Sequence, residues 1–109
     1  MPGQIRQWTP DEVAKFEAFP LPVSGRVTLA PIINDRYLVD CANVSGNDLK
    51  RLEEFWNRME GGIYPFRYES KTYRFPHCCF CQDTARFIVH GPNRCRAQFV
   101  VEVLPPYET

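Results

Sequence analysis

Between Ser45 and Tyr68 the chain specifies local structure more firmly than anywhere else, and the rest of the fold must be arranged around it. Leu49, Leu52, Phe55, Trp56 and Met59 recur at helical spacing, which at ~100° per residue gathers them into one apolar stripe. That face must be buried. Lys50, Arg51, Glu53, Glu54, Asn57, Arg58 and Glu60 fill the remaining arc, and Glu54 precedes Arg58 by four residues, the favourable order for an ion pair. Asn47 or Ser45 can cap the start, while Gly61-Gly62 supplies the positive-φ residue that ends a helix. The pattern predicts a helix over residues 47–60, about three turns long, running directly into an aromatic strand.

A chain of 109 residues suits one domain with one core. Its expected organisation is a helical N-terminal segment over 1–20, a core over 21–104 and a tail over 105–109. Thirteen basic and thirteen acidic side chains cancel, so no long-range field draws the protein to nucleic acid or to an anionic membrane. No apolar run approaches the ~18 residues of a membrane span, and the first eight residues lack the apolar centre of a secretory signal. The chain reads as soluble and not exported by that route. Five cysteines form an odd set, unlike the even framework of a small disulfide-stapled scaffold, so reduced thiols are expected.

Trp8-Thr9-Pro10-Asp11-Glu12-Val13 carries a helix-start signature: Thr9 as N-cap, Pro10 in the first turn, Glu12 closing a capping box and Trp8 stapling onto Val13. A short helix from Pro10 to about Ala18 follows, broken by Phe19-Pro20-Leu21-Pro22. Alternation around Val27 and Leu29, and around Tyr37 and Val39, predicts two strands flanking an Asn34-Asp35 turn. Ile63 to Glu69 and Thr72 to Phe75 read as strands around Ser70-Lys71, with Pro65 favouring an edge. Arg86 to His90 and Cys95 to Val103 flank Gly91-Pro92-Asn93-Arg94 and should form the most regular hairpin. No strand-helix alternation builds a parallel sheet. The expected class is α+β: a mainly antiparallel β-sandwich or partly open barrel, with one principal flanking helix and a short N-terminal one.

His77-Cys78-Cys79-Phe80-Cys81 is the one metal-like cluster, because Cys78 and Cys81 have the two-residue gap that brings two thiolates to one tetrahedral ion. A second such pair is missing, so Cys95, Cys41, His77 or His90 would have to complete it. The favoured reading is structural thiols without a cofactor: in an extended segment Cys79 and Cys81 share one face and Cys78 the other. No hydrolase, phosphate-loop or dinucleotide signature is present, and nothing places a base beside any cysteine, so an enzyme is not expected. Aromatics interleave with Arg67 and Arg74 in a mixture able to stack on single-stranded nucleic acid. Neutral charge argues against that, and the frequency of aromatics in strands favours a sheet with aromatics inward and Arg67 and Arg74 outward; solvent-exposed, the same aromatics and arginines would suit a protein-protein interface.

Gly25-Arg26-Val27-Thr28-Leu29, the helix Leu49-Lys50-Arg51-Leu52-Glu53-Glu54-Phe55-Trp56, then Pro65-Phe66-Arg67-Tyr68-Glu69, Cys81-Gln82-Asp83-Thr84-Ala85-Arg86-Phe87 and a closing Val101-Glu102-Val103-Leu104-Pro105 follow a recognisable order. Over roughly residues 20–105 it resembles the small minor tail and distal tail proteins at the tail tip of long-tailed bacteriophages and prophages. The dense cysteines and the stop at Thr109 depart from that plan, since many relatives continue into a further domain. The resemblance implies a non-enzymatic virion part: a β-sandwich with a flanking helix, self-assembling into a commonly sixfold ring beside neighbouring tail proteins. It implies assembly in the bacterial cytoplasm and residence in the virion tail, and it brings no catalytic residue. Arg51, Glu54, Arg58, Arg67 and Arg74 are the expected interface residues. The alternative is a small zinc module built on Cys78 and Cys81 with Cys95 and a histidine such as His77.

Overall fold

Ser45, rather than Asn47, starts the central helix. Its hydroxyl accepts from the Asp48 amide at 3.2 Å, and helix α2 runs from Gly46 to Arg58. The structure is a computed structural model describing residues 9–103. Leu49, Leu52, Phe55 and Met59 are buried and Trp56 is half-buried, as the apolar stripe requires. Glu60, Gly61 and Gly62 then take positive φ in succession and turn the chain out of the helix. Gly62 is needed for a second reason: a β-carbon there would stand 2.4 Å from the Phe80 carbonyl oxygen. The expected Glu54–Arg58 pair does not form. Arg58 Nε reaches Glu17 at 3.3 Å, and its guanidinium lies 5.5 Å from the centre of the Phe55 ring. An exposed pair within a helix is worth only ~0.3–0.5 kcal/mol, so a tertiary partner readily displaces it.

The capping box forms at Thr9: the Glu12 amide donates to Thr9 Oγ1 and the Thr9 amide to Glu12 Oε1, each at 3.2 Å. Helix α1 spans only Pro10–Ala14, short of Ala18. A tertiary claim on the backbone explains this. The Arg67 amide donates to the Glu17 carbonyl at 2.8 Å and the Phe19 amide to the Arg67 carbonyl at 2.7 Å, so residues 17–19 join the sheet as a short parallel strap. The Trp8 staple and the tail 105–109 lie outside the described residues.

Strands β1 (Arg26–Ile33) and β2 (Arg36–Val44) form a hairpin, with Asn34 at φ 52 in its turn. They are followed by β3 (Phe66–Glu69), β4 (Arg74–Phe80), β5 (Arg86–Val89) and β6 (Cys95–Val103). All six belong to one antiparallel sheet in the order β1-β2-β6-β4-β3, and β5 shares with β4 the same side of β6. This α+β sheet is not closed. β3 begins later than expected because the turn off α2 consumes residues up to Pro65, whereas β4 extends through the cysteine segment to Phe80. The β5–β6 hairpin pairs without a register shift, and β6 is the strand on which both halves of the sheet meet.

Cys95, Ala97, Phe99 and Val101 of β6 are all buried, which defines the face beneath α2. Phe19 enters that core from the strap, its ring centre 5.3–6.4 Å from those of Phe55, Phe66, Tyr68, Phe80 and Phe99. The opposite face is polar across β2 and β6: Arg36 pairs with Glu102 at 3.0 Å and Arg96 with Asp40 at 2.7 Å. The chain before the strap packs against β4, with the Phe16 and His77 ring centres 5.7 Å apart. Among the described residues, no helix is long and apolar enough to cross a membrane.

Candidate interaction surface

The cysteine strand was the strongest chemical candidate, and alternation along β4 disperses it. Cys78 is buried on the core face, its thiol 3.4 Å from the Phe66 carbonyl oxygen. Cys79 and Cys81 share the opposite, polar face: Cys79 is paired across from Glu102, and Cys81 feels both Arg36 and Glu102. Cys95 is buried at the far end of β6, its thiol 3.3 Å from the Gly91 carbonyl oxygen. The sheet therefore stands between Cys78 and Cys81. Among the described residues, no three His, Cys, Asp or Glu side chains are grouped to hold a metal ion.

Burial disfavours the thiolate of Cys41, Cys78, Cys79 and Cys81, because an apolar surround destabilises the charged form. It pushes Cys41 up to about 12 and Cys79 to about 11, and raises Cys78 as well. Cys81 is raised too, by burial first, with the Arg36 charge opposing the shift. The Tyr68 hydroxyl is pushed up to about 12 by burial.

The arginines expected to reach a neighbour are largely occupied within the chain. Arg51 pairs with Asp48 at 3.0 Å, Arg58 with Glu17, and both Arg67 and Arg74 with Glu69 at 3.2 and 3.0 Å. Arg67 also donates to the Phe16 carbonyl at 3.0 Å, which ties it to the strap. Glu54 is exposed on α2 and makes no ion pair among the described residues. The aromatic partition holds: Phe66 and Tyr68 point into the core, Tyr73 and Phe75 pack against its margin, and Tyr64 lies exposed.

What faces outward unsatisfied is backbone edge and aliphatic surface. Among the described residues β1 pairs only with β2, which leaves its other edge without a strand partner there, and Pro31 interrupts its row of donors. Ile32 and Ile33 are exposed at the end of β1, Ile63 and Tyr64 after α2, and Ile88 and Val89 on β5. A groove of about 450 Å³ opens between β1 and the 70–73 turn, lined by Val27, Leu29, Leu21, Tyr68 and Tyr73 together with the hydroxyl-bearing Thr28, Ser70 and Thr72. Lys71 is the one charged residue on its lining. The sequence carried a signal for some of this rim: Ile32-Ile33 and Ile88-Val89 are adjacent apolar pairs, and in a sheet one of each must point away from the core. The groove had no such signal. No protein-family model, curated protein or solved structure matches this chain.

Proposed function

We propose that this chain is a non-enzymatic structural subunit of a phage or prophage tail tip, assembling through subunit interfaces into a ring. One observation carries the assembly reading: the outer edge of β1 pairs with no strand among the described residues, and Ile32 and Ile33 are exposed at the end of that strand. Open edges and exposed apolar patches are the features by which proteins add neighbours. The tail-tip assignment itself rests on the order of sequence elements from Gly25 to Pro105. In this reading the subunit is made in the bacterial cytoplasm and resides in the virion tail beside other tail proteins.

Two experiments test it. The gene is expected to lie among genes for a tape-measure protein and other tail parts, and a locus of unrelated metabolic genes would overturn the tail assignment. Mass spectrometry of purified tail particles from the source phage or induced lysogen should recover the chain in fixed stoichiometry. Its consistent absence from intact tails would likewise reject the proposal.

A further inference from the structure

The β3–β4 hairpin carries a complementary feature at each end. At its tip, the groove between β1 and the 70–73 turn has an aliphatic and aromatic floor, the hydroxyls of Thr28, Ser70 and Thr72, and a single charge, the ammonium of Lys71. Lys71 is exposed and makes no ion pair among the described residues. At the base of the hairpin, the turn leaving α2 projects Ile63 and Tyr64, 61% and 49% exposed. Glu60 stands beside them, exposed and also in no ion pair among the described residues.

This projection is held in shape. The Ile63 and Tyr64 amides both donate to the Met59 carbonyl, at 3.1 and 3.2 Å, and Gly62 rests against the Phe80 backbone. A pre-shaped knob loses less freedom on docking than a loose loop. A largely apolar knob flanked by a carboxylate in no ion pair, with the Tyr64 hydroxyl at its tip, thus matches a mixed groove of apolar and hydroxyl side chains flanked by an ammonium in no ion pair. The two lie at opposite ends of β3, so a neighbour can answer each of them.

We infer that the Ile63-Tyr64 knob of one copy of this chain seats in the β1/70–73 groove of the next, with Glu60 meeting Lys71 across the contact. The occupant is a second copy, and the inference rests on the assembly reading above. The contact joins two different patches. It is therefore heterologous: every added copy presents a fresh groove and a fresh knob, and the row closes into a ring when the rotation per step permits. A twofold dimer, which joins like to like, would not follow from this geometry.

Sedimentation velocity across a concentration series tests the inference, with circular dichroism confirming that each variant is folded. The wild type is expected to grow in mass with concentration. Ile63→Asp removes the knob and Lys71→Glu the groove charge; each should raise the midpoint of assembly at least tenfold, and both positions are exposed, so folding should be unaffected. A mixture of the two variants retains one good knob and one good groove, and should stop at a 1:1 pair. Placing Glu60→Lys and Lys71→Glu on one chain should restore growth. A wild type that assembles while both single variants match it would overturn this contact and leave the assembly reading intact. A wild type that stays monomeric throughout would reject self-assembly and this inference with it.

Discussion

The Ser24 amide donates to the Asp48 carboxylate at 3.0 Å, joining the chain that leads into β1 to the first turn of α2. The Ser24 hydroxyl donates to the same oxygen and accepts from the Ser45 amide at 2.8 Å. Arg51 contributes a further contact at 3.0 Å. Asp48 is only 2% exposed, so the helix cap, the entry to β1 and one buried charge form a single unit. Burial alone would raise the Asp48 carboxyl. The bonds from Ser24, Val23 and Arg51 outweigh it and hold the group below the ordinary carboxylate range.

That balance fixes the sign of an acid dependence. A carboxyl with a lower pKa folded than unfolded contributes stability above its unfolded value, ~3.9, and loses it as pH falls through the folded one. Denaturant titrations between pH 7 and pH 2 should therefore show stability falling in acid. In Asp48→Asn the fall should be shallower. That variant should also be weaker at neutral pH by about 1–3 kcal/mol, because buried donors lose their charged partner. An acid limb as steep as wild type would show that Asp48 does not contribute to it.

Phe19→Ala should cost about 3–5 kcal/mol, the range for removing a buried aromatic side chain. The larger consequence is local. Phe19 is the strap's deepest attachment to the core, so hydrogen exchange at the Arg67 amide, which donates to Glu17, should accelerate more than exchange in β6. Equal acceleration in both would mean that the strap and the sheet unfold as one.

Much of this architecture was legible in the chain, and the boundary follows physical range. The α2 stripe, the Thr9 capping box and the turn at Asn34-Asp35 depend on residues a few positions apart, so spacing revealed them. The strap at 17–19 was hidden because Phe19-Pro20-Leu21-Pro22 reads locally as a break; only contact with Arg67 makes it part of a sheet. The role of Asp48 had no local signal, since its partner Ser24 lies 24 positions away. The groove likewise exists only because β1 and the 70–73 turn approach in space. The arginines were identified as outward-facing from pattern, but pattern could not show that Glu17 and Glu69 would occupy Arg58, Arg67 and Arg74.

Gly62→Ala is expected to be the most damaging single methyl addition in the turn after α2. A left-handed alanine costs ~1–2 kcal/mol by itself. Here the new β-carbon would also collide with the Phe80 carbonyl, so the loss should exceed that range. Thermal denaturation decides it, and an unchanged midpoint would refute the close approach of the two segments.

Thiol labelling should separate the cysteines by position. Cys81 and Cys79 are partly exposed, whereas Cys41, Cys78 and Cys95 are buried. Cys81 should react first with a small disulfide reagent at neutral pH, helped by Arg36, and Cys79 more slowly. The buried three should respond only on unfolding. Removing metal with a chelator is expected to leave both the labelling order and the melting midpoint unchanged; a large drop in the midpoint would instead support the zinc module.

The position of β6 has a consequence for how the protein comes to exist. Synthesis proceeds from the N-terminus, yet the strand that joins the β1–β2 hairpin to the β3–β4 hairpin is the last of the six to be made. Phe19 leaves the ribosome long before Phe99, one of its core partners. Until residue 103 has emerged, the nascent chain holds two hairpins with no strand between them and a helix whose apolar stripe lacks much of its floor. Premature termination anywhere before β6 should therefore leave an uncovered, aggregation-prone fragment in place of a smaller folded one, which makes synthesis through β6 a condition for a stable sheet.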